Sequence, residues 1–356
     1  MRFRVRPVGR LHGEAEVPGD KSVSHRAALL GALAEGVSEV QGYLEAEDCL
    51  RTITAIQALG AEVTRKGPGH YRIAGGGLRG LSEPGDVIDC GNSGTTARLL
   101  AGVLGTQPFW TILTGDASLR RRPMGRIAEP LRAMGATIVG RAEGTRLPLA
   151  IRGTGLAKAI QYATPVASAQ VKSAILLAGL VAEGPVTVTE PALSRDHSER
   201  MLRRFGARVT TEDRTVTLTP GALRATSVLV PGDISSAAFL LVAGAVVGDG
   251  QVTVHRVGVN PTRTGLLDVL AAMGARLQMT RAADEGEPTA SLTVTASTLN
   301  ATTIGGALLI PRLIDEIPVL AVAAAAATGV TVVRDAGELR VKESDRIAAL
   351  ARELAR

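Results

Sequence analysis

Polar and cationic side chains gather in this sequence at a few repeated places, and their types suit the capture of an anion. Lys21, Ser22 and Arg26 form one group; Asn92, Ser93, Gly94, Thr95 and Arg98 a second; Ser168, Ala169, Gln170 and Lys172 a third. A parallel series runs through Arg120, Arg121 and Arg122, then Arg195, Asp196 and His197, then Asn260 and Arg263, then Lys342, Glu343 and Arg346. Guanidinium and ammonium groups beside hydroxyls and small residues supply what a phosphate or carboxylate needs: charge, several donors and room for close approach. Asp315 and Glu316 break the pattern with a carboxylate pair where the other groups are neutral or basic. A carboxylate set among cations is an arrangement that tunes acid and base roles in one site. Taken singly, each group has an ordinary reading. Ser or Asn before a helix is an N-cap, three adjacent arginines are a solvated face, and Lys342 and Arg346 are surface charges paired with Glu343 or Asp345. Repetition at equivalent places is what favours a site.

The elements that must position these residues also repeat, with a period of roughly seventy residues, the signature of an internal array. A helical run ends in Gly and a strand begins at Ala58-Leu59-Gly60-Ala61-Glu62-Val63 and again at Ala133-Met134-Gly135-Ala136-Thr137-Ile138. The phrase returns at Arg204-Phe205-Gly206-Ala207-Arg208-Val209 and at Ala272-Met273-Gly274-Ala275-Arg276-Leu277. Gly suits a helix C-terminus because it takes the left-handed conformation that ends the helix. Helix starts are expected near Lys21, Asn92, Ser168, Ser235 and Asp315, and each unit reads βαβαββ, so the class is α/β. Helix N-termini carry unpaired N–H groups and a positive dipole end. If the helices of a domain run parallel, their starts share one face and the polar groups meet there. The fifth unit runs through Val341-Lys342-Glu343-Ser344-Asp345-Arg346 into a helix predicted over 347–355, and the 356-residue sequence stops before its glycine and closing strands.

Composition narrows the partner. The formal net charge is +6, which favours an acidic one. Aromatic residues make up 2% of the chain, with one Trp, three Tyr and four Phe, so the stacking platform of a single-strand nucleic-acid reader is missing. The apolar stretches 237–247 and 319–328 fall short of the roughly 18 residues a membrane span needs. Residues 1–7 alternate like a strand and lack the apolar core of a secretory signal. Cys49 and Cys90 read as reduced thiols of a cytoplasmic protein, Cys90 as a small buried one. The five histidines share no ligand spacing with either cysteine, so no metal is expected. Gly75-Gly76-Gly77-Leu78-Arg79-Gly80 fits a dinucleotide fingerprint in letters only, because Leu81-Ser82-Glu83-Pro84-Gly85 follows it instead of a helix.

Pro18-Gly19-Asp20-Lys21-Ser22-Val23-Ser24-His25-Arg26, Gly91-Asn92-Ser93-Gly94-Thr95-Thr96-Ala97-Arg98 and Arg122-Pro123-Met124 resemble the 5-enolpyruvylshikimate-3-phosphate synthases. So do Ala167-Ser168-Ala169-Gln170-Val171-Lys172-Ser173, Asp315-Glu316-Ile317-Pro318-Val319-Leu320 and Leu339-Arg340-Val341-Lys342-Glu343-Ser344-Asp345-Arg346, in the same order along the chain. The resemblance implies a two-domain enolpyruvyl transferase fold with three such units per domain. One domain would span about residues 16–228, and the second would combine 1–15 with 229–356. It implies transfer of the enolpyruvyl group from phosphoenolpyruvate to the 5-hydroxyl of shikimate 3-phosphate, by a cytoplasmic monomer without cofactor, metal, nucleic acid or membrane.

Carried over residue by residue, it puts Lys21, Ser22, Arg26, Ser168, Ala169, Gln170, Arg195, Asp315 and Lys342 on shikimate 3-phosphate. Lys21, Gly94, Arg122, Gln170 and Arg346 fall to phosphoenolpyruvate. Asp315 would be the general base with Lys342 close by, and Glu343, with Lys21, would protonate the methylene carbon. Gly94 implies room for the phosphoenolpyruvate mimic glyphosate. The family's sixth unit carries an Asp-His-Arg motif and a late Lys that these 356 residues lack, so the expectation is a second domain short of one unit, with apolar surface exposed and the polypeptide as written inactive or poorly folded. UDP-N-acetylglucosamine enolpyruvyl transferase, which shares the fold, fits less well: the first helix opens Lys21-Ser22 where that enzyme has Lys-Asn, and Ala117-Ser118-Leu119-Arg120-Arg121-Arg122 lacks its loop cysteine.

Overall fold

The computed structural model describes residue 6 and residues 8–355; the strand expected over residues 1–7 lies, apart from Arg6, outside the described residues. The chain divides into two compact units, one of Gly19–Val230 and one joining Met1–Pro18 to Pro231–Arg356. Each has its own apolar core.

Within Gly19–Val230 the βαβαββ frame is built three times. The second unit reads Ile88–Asp89, helix Gly94–Leu104, Thr111–Thr114, helix Gly125–Ala133, Thr137–Gly140, Arg146–Arg152. The third reads Gln161–Ala163, helix Ala169–Gly179, Val186–Thr189, helix His197–Arg204, Arg208–Glu212, Thr215–Thr219. In both, the first two strands pair in parallel and the last two form an antiparallel hairpin against the second. The parallel pair needs a crossover, and the first helix of the unit supplies it.

The first unit takes its opening strand from far along the chain. Helices Lys21–Leu33 and Glu47–Ala58 flank strand Ala34–Gln41, whose parallel neighbours are Leu223–Arg224 and Val228–Leu229. The other compact unit does the reverse. Arg10–Glu16 lies parallel to Asp249–Gly258, and helices Ile234–Val246 and Gly265–Ala272 with strands Arg276–Glu285 and Glu287–Thr295 complete the fourth unit. The two opening strands are thus exchanged, and the chain passes between compact units at Pro18–Gly19 and at Val230–Pro231. In the fifth unit the described residues give strands Thr303–Ile304 and Val332–Val333 in parallel, with helices Ile317–Ala325 and Arg346–Leu354. Exposed apolar side chains are frequent there: Val330 is 83% exposed, Leu308 77% and Val341 70%.

The repeated glycine does what the sequence asks of it. Gly60, Gly135, Gly206 and Gly274 stand at φ of 93°, 101°, 89° and 91°. In each case the next residue reaches back five positions to close the helix, as Ala136 N–H does to Leu131 O and Ala207 N–H to Leu202 O. This left-handed cap absorbs the last carbonyls and turns the chain into the following strand. Close packing fixes the helices themselves. A Cβ on Gly102 would lie 2.3 Å from Ala174 O, so helices Gly94–Leu104 and Ala169–Gly179 touch at their backbones.

Gly135→Ala tests the cap in isolation, since a Cβ there meets nothing within 4 Å. The substitution is expected to lower stability by about 1–2 kcal/mol, the cost of a left-handed L-residue. Gly221→Ala, equally open but at ordinary φ, should stay within about 0.5 kcal/mol in the same urea titration.

Candidate active site

Within Gly19–Val230 the helix starts are tied together by side chains of their first two turns. Asp20, Ser93 and Ser168 cap the three first helices, accepting from the N–H groups of Val23, Thr96 and Val171. Ser93 caps the second of these, so Asn92 is not its cap; the Asn92 amide instead donates to Asp116 at 2.7 Å. From helix Lys21–Leu33, the Lys21 ammonium pairs with Asp48 at the start of helix Glu47–Ala58. His25 Nδ1 meets Thr52 Oγ1 at 2.7 Å, and Thr52 meets Thr96 Oγ1 at 2.7 Å. Arg98 donates to Gln170 Oε1 at 3.0 Å and to Pro123 O at 3.2 Å, while Gln170 Nε2 donates to Thr95 Oγ1 at 3.0 Å. A helix start is positively polarised and short of acceptors. Joining several builds a place where backbone and side-chain donors face a shared space.

The electrostatics follow. His25 is fully buried, and its pKa is pushed well below the ordinary imidazole value by burial, then by Lys21 and Arg26. It therefore stays neutral among cations. Gly94 is the point of closest approach: a Cβ there would stand 2.6 Å from Arg98 Nη1 and 2.9 Å from Arg122 Nη1. Two guanidinium ends thus crowd one backbone position, and any side chain placed there must displace them. Arg120 and Arg121 are exposed, whereas Arg122 is half-buried, so the three-arginine run divides into a solvated face and one residue directed at Gly94.

The expected residues do not all present free polar atoms. The Arg26 guanidinium is 5% exposed and donates to Ser22 O at 2.9 Å, Ser173 Oγ at 2.9 Å and Ser198 Oγ at 2.7 Å. It knits the helices beneath Ser22. Ser168, Ala169 and Gln170 are half-buried at their helix start, and Arg195 is half-buried beside the start of helix His197–Arg204. Lys172, one turn beyond Ser168, is 2% exposed and ion-paired with Glu190 and Glu199 at 2.7 Å each. Burial presses its ammonium toward the neutral form, but Glu199 and Glu190 outweigh it and hold the pKa above the ordinary lysine value.

In the other compact unit, Asp315 Oδ1 accepts from Arg346 at 3.1 Å, and Arg346 also donates to Glu343 Oε2 at 2.8 Å. Burial opposes the charge on Arg346; the hydrogen bond to Glu343 and the charge of Asp315 raise its pKa nonetheless. The Lys342 ammonium lies 3.5 Å from Glu338. The acidic pair separates into two roles. Asp315 retains partial exposure, whereas Glu316 is 1% exposed and accepts from Arg263 at 3.0 Å and from Ser235.

Asp48, Glu190, Glu199 and Ser198 belong to the site's framework and stand outside the expected set, whereas Arg98 was among the expected cationic groups without an assigned substrate. A buried cation requires an acid, so Lys172 in an otherwise apolar helix was a usable signal, but sequence alone does not say which acids answer it. Among the described residues no group of His, Cys, Asp and Glu is arranged to hold a metal, and no helix is long and apolar enough to cross a membrane.

Comparison with known proteins decides the family. The sequence profile of EPSP synthase (3-phosphoshikimate 1-carboxyvinyltransferase) matches residues 5–356. The chain belongs to the EPSP synthase family. A 3-phosphoshikimate 1-carboxyvinyltransferase of Gloeobacter violaceus is 58% identical, the match covering 99% of this chain and 82% of that protein. One of Desulforamulus reducens is 51% identical over the same shares. Among solved structures, an EPSP synthase of Acinetobacter baumannii superposes with a TM-score of 0.87 at 49% identity, covering 96% of this chain and 77% of that one. The α/β architecture is that of the EPSP synthases, as the sequence motifs imply.

The cysteines of this family member are expected to be inert. Cys49 and Cys90 are both 0% exposed, and burial pushes the Cys90 thiol up to about 12. A raised thiol pKa leaves the unreactive protonated form dominant through neutral pH and withholds thiolate until strongly basic pH. Iodoacetamide should label neither in the folded protein near neutral pH and both in denaturant; rapid native labelling of Cys90 would contradict the burial.

Proposed function

We propose that this EPSP synthase family member transfers the enolpyruvyl group of phosphoenolpyruvate to the 5-hydroxyl of shikimate 3-phosphate and releases phosphate. The observation that carries the reading is the knot of helix starts around Gly94 and Gln170, where the ends of Arg98 and Arg122 crowd one backbone position. Lys21, Ser22, Ser168, Ala169, Gln170 and Arg195 hold shikimate 3-phosphate, its phosphate on the cations and backbone N–H groups. Arg26 supports them from beneath, in keeping with its buried bonds to Ser22, Ser173 and Ser198. Lys21, Gly94, Arg122, Gln170 and Arg346 hold phosphoenolpyruvate.

Asp315, with Lys342, acts at the 5-hydroxyl. In the proposed reaction its carboxylate takes the hydroxyl proton as the oxygen bonds to C2 of phosphoenolpyruvate. Glu343, with Lys21, delivers a proton to the methylene carbon. The resulting tetrahedral intermediate then loses a proton from the methyl group and phosphate from C2, restoring the double bond. Cations preset around the developing charge stabilise the intermediate without reorganising. The pairing of Arg346 with Asp315 and Glu343 keeps both carboxylates among positive charge until substrate carboxylate competes for the guanidinium.

The reading is tested by following phosphate release and product formation with both substrates. Release is expected only when both are present, and UDP-N-acetylglucosamine should not replace shikimate 3-phosphate. Asp315→Asn should lower kcat by about 10²–10⁴-fold, the usual weight of a general base; an unchanged kcat would remove Asp315 from that role. Gly94→Ala should displace the ends of Arg98 and Arg122, leave the fold intact and raise KM for phosphoenolpyruvate about tenfold, the loss of one charge-assisted hydrogen bond. The inhibition constant for the bulkier glyphosate should rise more; equal constants in the two proteins would refute the crowding argument.

A further inference from the structure

We infer that Glu190, seated in the buried trio Lys172–Glu190–Glu199, is a positioning residue that sets the shikimate 3-phosphate subsite by holding two of its loops in register. The inference rests on the assignment of Ser168, Ala169, Gln170 and Arg195 to that substrate. Lys172, Glu190 and Glu199 are each 2% exposed, and the ammonium lies 2.7 Å from one oxygen of each carboxylate. A lone structural ion pair needs one acid. Two are present, and they are bonded differently.

Glu190 has both oxygens committed. Oε1 accepts the backbone N–H of Ser168 at 3.0 Å, and Oε2 accepts Ser194 Oγ–H at 2.9 Å as well as the Lys172 ammonium. Ser168 is the cap from which Ala169 and Gln170 follow, and Ser194 immediately precedes Arg195. One carboxylate therefore joins the helix start that presents Ser168, Ala169 and Gln170 to the loop that presents Arg195. Glu199 makes no such link: its Oε1 meets Lys172, and among the described residues its buried Oε2 has no hydrogen-bond partner. The trio thus separates charge balance, shared by both acids, from positioning, carried by Glu190 alone. All three side chains are buried, where the low local dielectric strengthens the carboxylate's hydrogen bonds.

The asymmetry gives the experiment. Glu190→Gln and Glu199→Gln each remove one negative charge from the same buried ammonium, so both should lower the thermal unfolding midpoint. Only Glu190→Gln turns an amide NH2 toward donors at Lys172 and Ser194 or surrenders Ser168. Its dissociation constant for shikimate 3-phosphate, measured by titration calorimetry on the folded protein, should rise by about ten- to a hundredfold, the weight of a hydrogen bond to a charged group. Glu199→Gln should stay within about threefold. Ser194→Ala, which leaves the trio intact, should raise the constant by about three- to tenfold and keeps the test open if a trio variant does not fold. Equal weakening by the two glutamine variants, or unchanged affinity in Ser194→Ala and Glu190→Gln, overturns the inference. Failure of the unaltered protein to bind shikimate 3-phosphate would instead overturn the substrate assignment on which it rests.

Discussion

Bringing helix N-termini together is electrostatically unfavourable, and the compact unit Gly19–Val230 is organised around that constraint. Helices Gly94–Leu104 and Ala169–Gly179 pack backbone to backbone at Gly102 and Ala174, and Arg26 ties helix Lys21–Leu33 to Ser173 of the latter. Positive dipole ends and the side chains of Lys21, Arg26, Arg98 and Lys172 are thereby concentrated. The chain answers in two ways. Acids meet some of the cations, as Glu190 and Glu199 do at the buried Lys172 and Asp48 does at Lys21. Neutral oxygens meet others, as Gln170 does at the buried Arg98 and Ser173 and Ser198 do at the buried Arg26. The remaining donors need an anion from outside.

The same economy recurs in the other compact unit with the signs redistributed. Arg263 is buried among Asp233, Ser235 and Glu316, and Arg346 bridges Asp315 and Glu343 nearer the surface. Glu316 anchors the start of helix Ile317–Ala325, so its neighbour Asp315 is carried on a fixed support while keeping access to solvent. A buried network below and a half-exposed acid above would hold the proposed general base in place. The arrangement parallels Glu190, whose buried carboxylate bonds the Ser168 N–H and the Ser194 hydroxyl: in both units a buried charge network lies next to residues proposed to meet substrate.

Much of this was legible in the sequence because the repeat converts position into role. The glycines at 60, 135, 206 and 274 announced a left-handed cap, and the backbone adopts it each time. The order of strands and helices within a unit followed from the same phrase. The resemblance already implied that residues 1–15 join 229–356, but the reciprocal pairing was not legible. Nothing local marks Leu223–Arg224 as a neighbour of Ala34–Gln41, since a parallel pairing at that separation is decided by which edge is left open. The candidate site residues stand out in the sequence by type and repetition, whereas their partners do not. Arg26 carries the same residue type as Arg122, but burial directs one to serines and the other toward Gly94. Asp315 and Glu316 are adjacent and chemically alike, and only packing against Arg263 separates them.

The central claim is that the folded chain holds a preassembled anion site whose positive potential is relieved by substrate phosphate. Thermal unfolding across a range of shikimate 3-phosphate concentrations tests it most directly, because a ligand that binds only the native state stabilises it by about 2.7 kcal/mol at a hundred times its dissociation constant. The account predicts a midpoint that climbs steadily with shikimate 3-phosphate and far less with shikimate, which lacks the phosphate. A midpoint that does not move, or that moves equally with both compounds, would contradict it.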